Sequence, residues 1–174
     1  AVAGLNANLS LKWPNDVLLN GGKLAGILLE SAGNALVIGV GVNLAKAPDV
    51  NEVEEGALRP VALKSEAGAD VSAEVFMTHL AAAYAPWEER FRTYGFGVVR
   101  EAWLAKAAKL GDQIRARTMR EEMHGTFETV DEQGACCANM ARRGLTVGHA
   151  GGSLHSLGPM VGRRADGYGE GDGQ

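Results

Sequence analysis

The chain contains only two cysteines, and they are neighbours, Cys136 and Cys137. Adjacent cysteines cannot staple distant segments, and a disulfide between them would be strained. Reduced thiols and a cytoplasmic setting are the simplest reading. Pairing them with His149 and His155 as a metal site lacks the Cys-x-x-Cys unit that gives such a reading weight, so no metal ligand is assigned. Long apolar runs are also lacking, and Ala35 to Leu44 is about half of what a membrane-crossing helix needs. No basic segment precedes an apolar core near Ala1, so no signal peptide is visible, and a start at Ala rather than Met fits a fragment or a processed start. Positive charge is not in excess: the formal net charge of −4 argues against broad nucleic-acid binding through this chain. The four histidines are scattered, with no nucleophile and acid near them, so a hydrolase has no support. What is present, 46% hydrophobic and 22% charged residues in a chain of 174, suits a globular protein with one sizeable core and a small appended domain.

Leu9 to Lys12 alternates apolar and polar residues like a half-buried strand, and Trp13-Pro14-Asn15-Asp16 reads as a turn. Val17 to Leu19 resumes the pattern, Asn20-Gly21-Gly22 tolerates positive φ, and Lys23 to Glu30 runs back as a hairpin. Ala32-Gly33-Asn34 leads into Ala35 to Leu44, which extends the hairpin into an antiparallel meander. Lys46 to Asp70, with Pro48 and Pro60, reads as an irregular connection. Ser72 to Tyr94 places Phe76, Leu80, Tyr84, Trp87, Phe91 and Tyr94 at helical spacing, with Ser72 as N-cap and Pro86 bending or dividing the helix. That aromatic face predicts a buried helix surface, and Glu88 with Arg92 a solvated i,i+4 pair. A second helix is predicted over Val98 to Leu110, ended by Gly111. Together the two helices are expected to cover the sheet. Strand character returns from Ile114 to Ala135, around a hairpin turn at Asp131-Glu132-Gln133-Gly134. From Asn139 to Gly162 the chain is rich in Gly and Arg, and its polar end cannot repay its ordering entropy. Residues 136–174 are therefore expected to be a divergent, disordered tail, whose abrupt loss of alternation would also fit a shifted reading frame.

Three motifs sit on the consecutive apolar segments of the meander: Lys12-Trp13-Pro14-Asn15-Asp16, then Lys23-Leu24-Ala25-Gly26-Ile27-Leu28-Leu29-Glu30, then Gly39-Val40-Gly41-Val42-Asn43. Gly39, Gly41 and Asn43 share one strand parity, and Ile38, Val40, Val42 and Leu44 the other, so one face is bare and one is apolar. A bare glycine face lets a flat ligand approach closely, or lets an aromatic side chain pack over it. Asn43 carries a donor and an acceptor that an adenine edge could meet. Asp16, at the end of a turn, can bind Mg²⁺ or orient a polar group, although aspartate after asparagine is also ordinary turn chemistry. Lys23 alone would read as an exposed lysine opening a strand.

As a set, these motifs resemble the catalytic domain of biotin protein ligases, a biotin-[acetyl-CoA-carboxylase] ligase family, over roughly the first three quarters of the chain. The resemblance implies an α+β fold, mainly an antiparallel sheet covered by helices, class II synthetase-like and partial. Residues 1–111 would form the catalytic part, and 112–135 the start of an incomplete SH3-like β-barrel. It implies an ATP-dependent ligase that makes biotinyl-5′-AMP and transfers biotin to a lysine of a carboxylase carrier domain, with ATP, Mg²⁺ and biotin at the site. Lys23 and Asp16 would be catalytic, with Lys23 at the biotin carboxylate and the α-phosphate. Lys12, Asn15, Gly26, Gly39, Gly41 and Asn43 would contact biotin or ATP, Glu30 would orient a neighbour, and Trp13 would pack. The expected partners are a biotin carboxyl carrier protein or domain and, for the chain itself, a homodimer, with neither nucleic acid nor membrane. The family's glycine-arginine-rich loop normally precedes this stretch, and no such run occurs between Ala1 and Asn43. The chain is accordingly expected to be a truncated form with little activity of its own. The other readings are a lipoate-type ligase and a noncatalytic interaction or dimerisation fragment.

Overall fold

The computed structural model describes residues 8–53, 56–117, 122–140, 143–147 and 162–163. The chain divides into two compact units, one running to Ala108 and the next starting at Lys109.

In the first unit, β1 (Leu9–Lys12), β2 (Asp16–Leu19), β3 (Gly22–Ala32) and β4 (Ala35–Val42) form an antiparallel sheet in sequence order, the expected meander. The β2–β3 turn is tight because Asn20 and Gly21 both adopt positive φ, 50° and 80°. Leu19, Leu24, Ala25, Val61 and Leu63 are the buried core, with Leu9, Val17, Val42, Leu44, Ala67, Ala69 and Val71 packed against it.

Two of those five buried residues, Val61 and Leu63, come from the segment expected to be an irregular connection. Val61, Ala62 and Leu63 form a short apolar run beside Pro60, and its backbone is stitched to β3. Lys23 N–H donates to Arg59 O (2.8 Å) and Val61 N–H donates to Lys23 O (3.0 Å). Helix α1 (Leu63–Ala67) follows and ends at Gly68, in the left-handed region at φ 69°. A five-residue helix is too short to announce itself by periodicity, and burial of Leu63 holds it in place.

Helix α2 (Ala73–Tyr94) starts where expected, with Ser72 Oγ accepting from Val75 N–H at 3.3 Å. Pro86 does not divide it. Proline deletes one i→i−4 bond, but the alanines before it and Trp87-Glu88-Glu89-Arg90 after it keep the helix continuous. Helix α3 (Phe96–Leu104) stops six residues short of the predicted Leu110. Beyond it the backbone pairs with β1 instead: Leu11 N–H donates to Lys106 O and Ala108 N–H to Leu11 O, both at 2.8 Å.

The expected burial of the aromatic helix face is not found. No residue of α2 is buried, and Tyr84, Trp87, Phe91 and Tyr94 are all exposed. The helical cover that reaches the core is α1, whose Leu63 seals the end of the sheet nearest the β2–β3 turn.

The second unit is an antiparallel sheet of β5 (Gln113–Arg117), β6 (Glu122–Val130), β7 (Cys136–Met140), β8 (Arg143–Val147) and β9 (Gly162–Arg163), again in sequence order. The turn before β7 is the predicted one: Asp131 Oδ1 accepts from Gln133 N–H (2.9 Å) and Ala135 N–H (2.8 Å). The tail expected to begin at Cys136 instead opens as a strand. Cys136 and Ala138 are buried with Phe127, Val130 and Ala135, whereas Asn139 faces out. Alternation persists, carried by small residues where large β-branched ones would have advertised it. The rest of the tail, including His149 and His155, lies outside the described residues except for β8 and β9. Neither thiol is in a disulfide. Burial, with a smaller contribution from the neighbouring Cys137, pushes the Cys136 thiol up to about 12. Among the described residues, no helix is long and apolar enough to cross a membrane.

Candidate active site

The proline-bearing turn between β1 and β2 sets the first residues of the site. Lys12 and Asp16 end up opposite each other in the ladder, and Asp16 in turn faces Gly26, which faces Gly41. Residues directly opposite in an antiparallel pair share a face. Lys12, Asp16, Gly26 and Gly41 therefore lie in one row across four strands.

Lys23 reaches this row by way of a bulge. Val17 pairs with Ala25, but Leu18 pairs with Lys23, so Leu24 is an extra residue in β3. By simple alternation Lys23 would share the face of Ala25 and Ile27. The bulge reverses the parity, and Leu24 turns into the core while Lys23 swings to the Asp16 side. Lys23 Nζ then lies 2.7 Å from Asp16 Oδ1, and Lys12 Nζ lies 3.1 Å from Asp16 Oδ2. The Asp16 side chain is only 11% exposed, against 36% and 45% for Lys12 and Lys23. One nearly buried carboxylate thus holds two half-exposed ammonium groups, each charge-assisted. Nothing in the alternation of the sequence marks Leu24 as a bulge, so this part of the site could not be read in advance.

The backbone under Lys23 is fixed on both sides by Arg59 and Val61. The amides are partly committed to the same scaffold. Asn15 Nδ2 donates to Ile27 O at 2.7 Å, while Ile27 N–H donates to Asn15 O at 3.0 Å. Asn43 Nδ2 donates to Val61 O (3.1 Å) and Lys23 O (3.5 Å). Asn43 therefore has its Oδ1, rather than a donor–acceptor pair, to offer a ligand.

The glycines are bare for no local packing reason. A Cβ on Gly41 would come no closer than 3.9 Å to another residue's atoms, at Gly26 O, and one on Gly39 no closer than 3.5 Å, at Leu28 O. Among the described residues, no aromatic atom comes within 4 Å of either Cβ position. A Cβ on Gly26 would instead stand 3.8 Å from both Lys23 Nζ and Asp16 Oδ1, so Gly26 keeps the space beside the charges open. Glu30 sits farther along β3, exposed and opposite Val37, away from the charged row. Trp13 is half-buried.

Among the described residues, no three His, Cys, Asp or Glu side chains gather to hold a metal. Asp16, the one carboxylate of the row, has both oxygens on ammonium groups, so these residues do not make a Mg²⁺ site. The Mg²⁺ expected with ATP would have to be carried by the phosphates.

Residues 3–44 match the biotin/lipoate A/B protein ligase family. This stretch belongs to that family. It contains every site residue named above, Lys12 through Asn43. A biotin–[acetyl-CoA-carboxylase] ligase of Paracoccus denitrificans is 54% identical over 137 residues, which cover 76% of this chain and 57% of that protein. The chain thus spans a little over half of that relative's length. The apo biotin protein ligase of Aquifex aeolicus superposes with a TM-score of 0.68 at 22% identity, over 90% of this chain and 66% of that one. The same organism's ligase in complex with biotin and ATP gives 0.62 at 23% identity, over 90% and 62%. The fold, α+β with antiparallel sheets, is that of the biotin protein ligases.

Proposed function

We propose that this chain carries the lysine-bearing part of an adenylating site for biotin. The observation that supports it is the pair of ammonium groups held on Asp16 beside Gly26 and Gly41, within a stretch of ligase-family sequence. In such a reaction a biotin carboxylate oxygen attacks the α-phosphorus of ATP and pyrophosphate departs. The ε-amine of a carrier lysine then attacks the acyl carbon and AMP departs. Two anions must meet in the first step, and a fixed cation that strengthens its hold as charge builds lowers that barrier. Lys23 is the residue for this role and Asp16 is its positioning partner. The glycine face would take the flat parts of the ligand, and Asn43 Oδ1 would accept a hydrogen bond from it. The acceptor of biotin would be a carboxyl carrier domain, and reduced thiols support a cytoplasmic setting.

The row by itself is electrically thin. Two ammonium groups and one carboxylate leave a net charge of +1, against a triphosphate of several negative charges. Further cations are needed for pyrophosphate to leave, so the chain alone should adenylate poorly. Biotin-dependent exchange of labelled pyrophosphate into ATP tests this without a carrier protein. Robust exchange by the chain alone would overturn the need for more charge. Absence of exchange in a full-length ligase carrying Lys23→Ala, with exchange restored by the wild-type residue, is the expected result. A lipoate-type ligase is distinguished by calorimetry with each vitamin. A noncatalytic interaction module is favoured by one observation, the exposed apolar stripe of Leu29, Leu36, Ile38 and Val40.

A further inference from the structure

Between Ala25 and Lys23 the strand β3 changes partners. Its ladder with β4 ends at Ala25 opposite Val42, and Lys23 lies instead against Pro60. Asn43, the residue just past β4, stands at that handover. Its N–H donates to Leu24 O at 3.0 Å, and its carbonyl accepts from Leu63 N–H at 2.8 Å. Its side-chain Nδ2 donates to Val61 O at 3.1 Å and, at the longer distance of 3.5 Å, to Lys23 O. Lys23 O also accepts from Val61 N–H, which the two lone pairs of a carbonyl allow. The carbonyls of Leu24, the extra residue of the bulge, and of Lys23, the residue it turns, therefore both end on one asparagine.

We propose that Asn43 is a positioning residue for Lys23, its amide donor locking the bulge that aims the ammonium at Asp16. The inference rests on the adenylating role put forward above for Lys23. A bulge interrupts the ladder and leaves the strand a competing choice, the regular register. In that register Lys23 takes the face of Ala25. Charge alone does not forbid this, because a lysine can run its apolar stem along the core and still put its head in water. A cation at a reacting centre must instead be held to within about 0.5 Å. The Nδ2 donor supplies that constraint, since it ties Lys23 O and Val61 O together across the point where the partner strand changes. Asn43 Oδ1 takes no part in these bonds and stays available to a ligand, so the two ends of one amide have separate tasks.

The first arm of the test uses the full chain without biotin or ATP. Reductive methylation with limiting formaldehyde, followed by mass spectrometry, gives a rate for each lysine. Asn43→Ala should raise the Lys23 rate at least threefold and leave the Lys12 rate unchanged. Lys12 is the internal control, because it shares Asp16 but sits on β1, out of reach of the bulge. Asn43→Asp, equal in size and without the donor, should match Asn43→Ala and decides the matter if the alanine variant does not fold. An unchanged Lys23 rate, or an equal rise at Lys12 from general loosening of the sheet, overturns the proposal. The second arm uses biotin-dependent pyrophosphate exchange in a full-length ligase. There Asn43→Ala should lower kcat at least tenfold, but less than twofold when Lys23 is already alanine, since nothing is left to position. A raised KM for ATP with kcat kept, or the same loss in both backgrounds, is the mark of a ligand contact alone and overturns the proposal. If Lys23→Ala itself leaves exchange unchanged while the methylation result holds, the adenylating role falls and the placement of Lys23 by Asn43 stands.

Discussion

The two ends of β3 and β4 share a ladder and nearly the same composition, yet differ in what they face. At one end Leu24, Ala25 and Val42 pack on Val61 and Leu63, and Lys23 is fixed on Asp16. At the other, Leu29, Leu36, Val37 and Ile38 stand in solvent. Hydrophobicity says which residues can be buried, and a strand of isoleucine and valine is equally apolar along its length. Burial is decided by whether another segment arrives, and at the inner end that segment is Pro60 to Val71.

The largest effect should come from core truncation. Leu19 is fully buried, so Leu19→Ala should destabilise the first unit by about 2–5 kcal/mol, whereas Leu36→Ala should stay within about 0.5 kcal/mol. Urea denaturation of both variants checks this, and equal losses would abolish the contrast between the two ends.

The glycines sharpen it further. At the inner end a Cβ on Gly22 would run into the Val61 side chain and approach Arg59 O to 3.0 Å, so Gly22→Ala should lower the thermal midpoint by several degrees, an expected cost of about 1–3 kcal/mol. On the open face Gly41→Ala has room and should leave the midpoint nearly unchanged, while reducing biotin or ATP affinity in a full-length ligase, read by calorimetry.

Lys23 tests the site rather than the core. In a full-length ligase Lys23→Ala should slow adenylate formation at least tenfold, about 1.4 kcal/mol or more, with stability changed by less than about 1 kcal/mol because the ion pair is half-exposed. Lys23→Arg should also fail, since a planar guanidinium cannot replace a point ammonium between two anions. An unchanged rate would refute the assignment.

A pH-dependent effect belongs to the second unit. Its Cys136 thiol ionises only near 12 when folded, whereas the unfolded thiol ionises near 9. Its contribution to stability is therefore complete below pH 9 and is lost between about 9 and 12. Urea midpoints for wild type and Cys136→Ala should converge across that window, and parallel curves would show that the thiol carries no such linkage.

The meander, its turns, the Ser72 cap and the bare glycine face were legible in the sequence because each rests on local chemistry: alternation, positive φ, a hydroxyl before a helix. Residues 136–140 were misjudged because cysteine and alanine bury without looking like strand formers. The length of α3 and the structural use of 60–71 were not legible. Those outcomes depend on partners distant in sequence: Leu11 for Lys106 and Ala108, and Lys23 for Arg59 and Val61. The same division runs through the site itself. The sequence alone put a lysine, an aspartate and glycines on neighbouring strands, but alternation aims Lys23 at the core face. Only the ladder register, with Leu24 as the extra residue, turns its ammonium onto Asp16, because the face a strand residue takes is set by pairing across the sheet and not by its own position in the chain.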